Sequence, residues 1–163
     1  MNIRRRTIDD CASIAHIVTV CWNETYRGIV NNEFLDNLYK NEEERVISSK
    51  NKFNENDNHQ FVLDVDDNIV GWINVGSSDY GEDYGEIHAI YIMKEYQGKG
   101  YGRLLINEGI KELKRMGYHK MVIGCLDGNK SNDFYKHIGG NFVEQRIFEK
   151  LGLPENVYVF NEI

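Results

Sequence analysis

From Tyr96 to Gly102 the chain reads Tyr-Gln-Gly-Lys-Gly-Tyr-Gly, three glycines in five positions with a lysine among them. Glycine lets a backbone approach phosphate oxygens closely, because no Cβ stands in the way. A strand-like apolar run precedes this loop and a helical run begins near residues 100–102. The first amides of such a helix have no carbonyl partner four residues back, and with the positive end of the helix dipole they form an anion site. Lys99 and Arg103 add charge at its rim. A plain glycine turn between two elements would look the same locally. Two nucleotide loops are excluded by spacing. A P-loop needs GxxxxGK[ST], and Gly98-Lys99-Gly100 has neither that spacing nor the Ser/Thr. A dinucleotide fingerprint needs glycine where Arg103 stands, and it follows the first strand of a βαβ unit rather than an antiparallel hairpin.

The elements that must hold this loop follow from periodicity. NIRRRT alternates and suits a short first strand. Asp9 or Asp10 offers an N-cap ahead of Ile14, Ile17, Val18 and Cys21, an i, i+3, i+4, i+7 stripe. That helix should run to about Thr25 and stop near Gly28, and one further helical stretch is expected in NNEFLDNLYKNEEERVISSK. QFVLDV and NIVGWINVG are β-rich runs joined by Asp66-Asp67-Asn68, a hairpin signal. An acidic tip, SSDYGEDYG, leads into EIHAIYIM as a fourth strand. After the glycine loop, Leu104, Leu105, Ile106, Ile110, Leu113 and Met116 give a wide apolar helical face closed at Gly117. HKMVIGCL reads as a fifth strand, SNDFYKHI as a short helix closed by Gly139-Gly140, and NFVEQRIFE and NVYVFNE as two last strands. The order β-α-α-β-β-β-α-β-α-β-β defines one mixed α/β domain over residues 1–163, with a single proline, Pro154, and no Gly/Ser-rich linker.

The spacing Gln97-x-x-Gly100-x-Gly102, after a strand and ahead of a long helix, resembles the acetyl-CoA loop Q/R-x-x-G-x-G/A of the GCN5-related N-acetyltransferase (GNAT) superfamily. A second block, GNKSNDFYKHIGG, resembles that family's later N-x-S/A-x-x-F-Y-x-x-x-G-G/F segment, and CWNETYRGIVNNEFLDNL resembles the first two helices of a bacterial subgroup. The resemblance implies a GNAT-type fold: a central, mostly antiparallel sheet splayed between strands four and five, flanked by about four helices, with acetyl-CoA in the gap. It implies that the amides of Gln97, Gly98, Lys99, Gly100, Tyr101, Gly102 and Arg103 hold the pyrophosphate. The backbone of Tyr91 and Ile92 would pair with the pantetheine arm, Asn129 would contact that arm from the other side, and Tyr135 would sit near the sulfur. Met93-Lys94 departs from the family's frequent x-Pro, and Asn132 stands where the short helix often carries an apolar or basic residue.

Acetyl transfer to an amine needs a neutral nucleophile, an oxyanion donor and a proton for the departing thiolate. By the same resemblance Glu86 draws the amine's proton through water; the alternative is a solvated carboxylate at a strand end. His88 is a rival base with an accessible ordinary pKa. Tyr135 is the candidate acid, and the N–H of Ile92 the oxyanion donor; the alternative for Tyr135 is an aromatic on the core face of a short helix. Cys125 lies in an apolar run, which favours a buried inert thiol over an acylated one. Trp22, Tyr26 and Arg27 could line an acceptor pocket or simply fix a helical corner.

Composition bounds the rest. Apolar content of 41% argues for a folded globule, and a net charge of −7 disfavours nucleic acid, whose phosphates need a basic face. Three cysteines without CxxC or Cys/His spacing argue against a disulfide framework or a metal site and for a reducing cytoplasm. MNIRRRTIDD has no apolar segment behind its basic triplet, so neither a signal peptide nor a membrane span is expected. The expected activity is acetyl-CoA-dependent acetylation of a small-molecule or peptide amine; a non-catalytic acyl-CoA-binding module would need the loop but neither Glu86 nor Tyr135. VYVFNE could contribute to a homodimer.

Overall fold

Alternation and helical periodicity sort the chain into seven strands and five helices. A computed structural model describes all residues, 1–163. In chain order the elements are β1 (Asn2–Arg5), α1 (Cys11–Tyr26), α2 (Asn32–Lys40), α3 (Glu42–Asn51), β2 (Gln60–Val65), β3 (Asn68–Ser77), β4 (Tyr84–Ile92), α4 (Tyr101–Arg115), β5 (Lys120–Leu126), α5 (Ser131–His137), β6 (Asn141–Phe148) and β7 (Leu153–Phe160). The strand order is β1-β2-β3-β4-β5-β7-β6, and β4–β5 pairs parallel where β1–β2, β2–β3, β5–β7 and β6–β7 pair antiparallel. This is the expected mixed α/β arrangement. Two compact units divide the chain: residues 1–74 with 89–109, and residues 75–88 with 110–163.

In the first unit the β2–β3 hairpin forms where the sequence signalled it. Asp66 and Asp67 take φ of 53° and 62°, the left-handed pair that a two-residue hairpin loop demands and that aspartate tolerates. The helix α1 buries Ile14, Ile17 and Cys21 of the expected stripe, together with Cys11, Ala15 and Tyr26. The stretch expected as one second helix is two. It breaks at Asn41, whose φ of −103° and ψ of 16° are not helical. Glu42, Glu43 and Glu44 then fill the first turn of α3, where the helix dipole favours negative charge. The open end of α2 finds a donor in Arg45, whose guanidinium donates to the Leu38 carbonyl at 2.9 Å and also to the Thr19 hydroxyl of α1. A cation that caps one helix from the next makes the break stable.

In the second unit β5 is the central strand. Its buried Met121, Val122, Ile123, Cys125 and Leu126 pack with Val157, Tyr158, Val159 and Phe160 of β7. The parallel β4–β5 ladder runs only from Tyr84↔Lys120 to Ile87↔Ile123, although β4 continues to Ile92 and β5 to Leu126. The two strands part there, which is the expected splay. The VYVF part of VYVFNE lies in β7 between β5 and β6, so β6, not β7, is the edge strand at that end of the sheet.

Candidate active site

The glycine loop, in the first unit, leaves β4 through a single 3-10 turn over Lys94–Tyr96. Gly98 and Gly100 have φ of 73° and 81°, which a residue with a Cβ adopts only with strain. A Cβ at either would meet nothing within 4 Å, so backbone conformation, not crowding, demands glycine there. The amide of Leu104 closes the first helical hydrogen bond on the Gly100 carbonyl at 3.3 Å. The amides of Tyr101, Gly102 and Arg103 therefore precede the helical ladder and lack helical acceptors. Lys99 and Arg103 are exposed beside them, with the Lys99 ammonium 5.1 Å from the centre of the Tyr96 ring. Exposed, left-handed glycines ahead of open amides fit a pyrophosphate, whose oxygens need donors and close backbone approach.

The Gln97 side chain turns back rather than outward: its Nε2 donates to the Ile92 carbonyl at 2.9 Å, where the Cys21 thiol also donates at 3.5 Å. The loop is thereby tied to the end of β4 and to α1. The Met93 amide donates to Val70 of β3 at 2.9 Å, and a Cβ on Gly71 of β3 would lie 3.2 Å from the Tyr91 carbonyl oxygen. Since main-chain groups alternate along a strand, Tyr91 faces β3 while the N–H of Ile92 points away from it. The Tyr91 hydroxyl accepts from Trp22 Nε1 at 2.8 Å, and its ring lies nearly parallel to Trp72 at 6.0 Å. Trp22 is itself 4.7 Å from Tyr26 and 5.6 Å from Phe34, ring centre to ring centre. Arg27 takes the structural alternative, bonding Asn23 and Asp36 at 2.6 Å each and so fixing the corner between α1 and α2.

In the second unit Glu86 is not a solvated strand end. Its side chain is only 15% exposed, with Oε1 3.6 Å from Arg146 of β6 and Oε2 accepting from the Ser78 hydroxyl at 2.8 Å. Arg146 also donates through Nε to Glu155 of β7 at 2.7 Å. Burial would lower the Arg146 guanidinium, but the hydrogen bond to Glu155 and the charges of Glu155, Glu86 and Glu144 outweigh it and raise it above its ordinary value. The register places these groups on one sheet face: Glu86 opposite Val122, Gly124 opposite Val157, and Arg146 opposite Glu155. Gly124 makes room for the Glu155 carboxylate, since a Cβ there would stand 2.4 Å from it. His88 lies two residues along β4 on the same face and is exposed, with its ring against Gly76.

The opposite face carries α5. Tyr135 is 7% exposed, its ring 5.6 Å from Phe134 and 6.1 Å from Tyr158. Asn129 Oδ1 accepts from the Ser131 amide at 2.9 Å and so starts the helix. Asn132 is a buried hub: it donates to the carbonyls of Leu126 and Asn129 at 3.0 and 2.7 Å, and accepts from Tyr158 and Asn156 at 2.8 and 3.1 Å. That explains an amide where an apolar or basic residue was expected. Cys125 is buried, and burial first, then Glu155 and Asp127, push its thiol up to about 12. Burial, with Glu24 and Glu95, does the same to Cys21. Neither thiol is a nucleophile at neutral pH.

Sequence reasoning missed Ser78, Gly124, Arg146 and Glu155. Glu144 and Arg146 alternate onto one face of NFVEQRIFE, but nothing local aims them at Glu86. Only the β6–β7 register, with its irregularity between Phe142 and Glu144, does so.

A family model, the acetyltransferase (GNAT) family, matches residues 24–139, a span that holds the glycine loop, Glu86, Asn129 and Tyr135. The chain belongs to that family, and with it to the acyltransferases that take an acetyl group from acetyl-CoA. It is similar to the uncharacterized N-acetyltransferase YuaI of Bacillus subtilis (strain 168), with 29% identity over 158 residues, 94% of this chain and 87% of that one. Among solved structures, PaiA N-acetyltransferase from Thermoplasma acidophilum in complex with coenzyme A superposes with a TM-score of 0.75 at 19% identity, covering 97% of this chain and 96% of that chain. YncA of Salmonella typhimurium with acetyl-CoA gives 0.62 at 24% identity, covering 98% of this chain and 92% of that one. At such identities the two superpositions speak for the fold.

Proposed function

We propose that this N-acetyltransferase transfers the acetyl group of acetyl-CoA to a primary amine of a small molecule or peptide by direct attack. Residues 1–163 act as one catalytic domain, since β3, β4 and α4 each contribute to both compact units. The observation that carries the reading is the loop: two left-handed glycines, Gly98 and Gly100, expose the first amides of α4 as phosphate donors. Gln97, Gly98, Lys99, Gly100, Tyr101, Gly102 and Arg103 hold the pyrophosphate. Tyr91, Ile92 and Asn129 seat the pantetheine arm, and the N–H of Ile92 donates to the acetyl oxygen as charge builds there. Glu86 takes the amine's proton through a water molecule, the C–N bond forms as the C–S bond breaks, and the Tyr135 hydroxyl returns a proton to the thiolate. Ser78 and Arg146 support this role for Glu86, because one hydrogen-bonds its carboxylate and the other lies beside it, which orients the group. The high thiols of Cys21 and Cys125 disfavour an acyl-cysteine route. The three free, buried cysteines suit a reducing cytoplasm, and no helix is long and apolar enough to cross a membrane.

The test is release of free thiol from acetyl-CoA against a panel of polyamines, amino acids, aminoglycosides and peptides. At least one amine should raise release well above hydrolysis. Tyr135→Phe should then lower kcat by roughly 10²-fold, with acetyl-CoA affinity within about 2-fold. Full activity of that variant would remove Tyr135 as the acid. Tight acetyl-CoA binding with no turnover on any amine would leave a binding module in place of an enzyme.

A further inference from the structure

We propose that Arg146 is a positioning residue for Glu86, and that Glu155 sets how much of its charge Glu86 receives. The proposal rests on Glu86 being the base. Four strands meet in the arrangement. Glu86 on β4 accepts from Ser78 at 2.8 Å through one oxygen and faces Arg146 at 3.6 Å with the other, so a hydrogen bond and an ion pair together orient the carboxylate. Arg146 on β6 is itself held, because its Nε is fixed on Glu155 of β7 at 2.7 Å. Glu155 in turn is seated over Gly124 of β5, where any side chain would displace it. The order of constraint thus runs from the bare backbone of β5, through Glu155 and Arg146, to Glu86.

The charges are unequal in a useful way. One guanidinium is shared between two carboxylates, with the Glu155 bond the shorter. A single arginine committed to Glu86 would hold it as a spectator ion pair, reluctant to take a proton. A second carboxylate drawing on the same cation leaves Glu86 oriented but only partly compensated. Other groups on that face are Tyr84 and His88 of β4, Lys120 of β5, which is 3.7 Å from Asp83, and Glu144 of β6. Lys120 is occupied by Asp83 and stacked on the Tyr84 ring at 5.3 Å, so Arg146 is the cation that reaches Glu86.

Two conservative substitutions separate this from simple structural support, because they push in opposite directions. The full-length protein is labelled with side-chain carboxyl 13C-glutamate, the Glu86 resonance is identified by its loss in Glu86→Gln, and its midpoint is followed against pH. Arg146→Gln should move the midpoint upward, and Glu155→Gln should move it downward. Arg146→Lys should fall between Arg146→Gln and the parent. Thermal melts of each variant establish that it is folded, and Glu155→Gln keeps the size of the group over Gly124. Midpoints that stay put in both variants, or move the same way, overturn the proposal. The same variants should shift the acid limb of the kcat/KM profile in the same two directions with the best amine of the acceptor panel. If Glu86→Gln leaves that limb and turnover intact, the base assignment falls instead. If Glu86→Gln abolishes turnover while the resonance ignores Arg146 and Glu155, the base stands and the positioning role is wrong.

Discussion

The bare Cα of Gly124 offers a perturbation whose cost can be worked from the structure. In Gly124→Ala the new Cβ would sit 2.4 Å from Cδ and Oε1 of Glu155, well inside any real carbon contact. The carboxylate must move by roughly 1 Å or more to reach ordinary contact. It is the end of a flexible side chain, so the backbone need not yield, but moving it strains its 2.7 Å bond to Arg146. A hydrogen bond between charged groups is worth about 1.5–3 kcal/mol. The Arg146 side chain is 37% exposed, so water recovers part of that and about 1–2 kcal/mol is the expected loss. Alanine in a strand recovers about 0.5–1 kcal/mol over glycine, which trims the net to roughly 1 kcal/mol. For 163 residues that is a fall of roughly 3 °C in Tm. Urea unfolding of Gly124→Ala, Glu155→Ala and the double variant, followed by two spectroscopic probes, reads the coupling. With Glu155 truncated, the alanine has open space and should be neutral or stabilising. In a Glu155→Gln background the cost should persist, because the volume remains. If the cost is the same in the Glu155→Ala background to within about 0.5 kcal/mol, the collision is not what Gly124 avoids and the reasoning is refuted.

Other expectations follow from single sites. Gly100→Ala, with open space around its Cβ but a φ of 81°, should suffer strain alone, about 1 kcal/mol, and weaken acetyl-CoA binding roughly 5-fold by calorimetry; unchanged affinity would detach the loop's conformation from its grip. Cys125→Ala should keep turnover within about 3-fold, and the parent thiol should resist iodoacetamide at pH 8 until the protein is unfolded, because burial pushes it up to about 12. Burial alone would raise the Asp10 carboxyl, but two 2.7 Å bonds from Arg4 and one from the Thr7 amide hold it below its ordinary range. Its stabilisation is therefore present above the unfolded carboxylate pKa of about 4 and lost as pH falls below it; urea melts should find Asp10→Asn about 1 kcal/mol weaker at pH 7 and the gap closing by pH 3.

What was legible in the sequence is what is written locally. The hairpin at Asp66-Asp67 needs two left-handed residues in a row, and the α1 stripe needs only its own spacing. The glycine loop is equally local, since Gly98 and Gly100 reveal their backbone by being glycine. The break at Asn41 was not legible, because no glycine or proline marks it and helix-forming residues stand on both sides. The decision lies with Arg45, which finds the Leu38 carbonyl and Thr19 only once α1, α2 and α3 are folded together. The companions of Glu86 were hidden for the same reason. Arg146 and Glu155 reach it through the registers of three strands, two of them from the far end of the chain. Asn132 looked like a departure from its motif when taken alone. Four hydrogen bonds make it the piece that ties α5 to the end of β5 and to β7.

The second unit's register sets the proposed base, Glu86, and the proposed acid, Tyr135, on opposite faces of the sheet. Glu86 pairs with Val122 and shares its face with Gly124, Glu155 and Arg146. Tyr135 packs against Tyr158, which pairs with Ile123 and so projects from the other face. In an unbroken sheet these two groups would be separated by a layer of hydrogen-bonded backbone, and no proton could pass between them through one reacting carbon. The ladder between β4 and β5 stops at Ile87↔Ile123, one residue beyond Glu86. If Glu86 is the base and Tyr135 the acid, as proposed, the end of that ladder serves the chemistry as well as the fold. Under those roles proton removal would be served from one face and proton return from the other. On the proposed mechanism an amine acceptor belongs on the Glu86 face and the thiol on the Tyr135 face, so the two ends of the reaction would not compete for the same proton carrier.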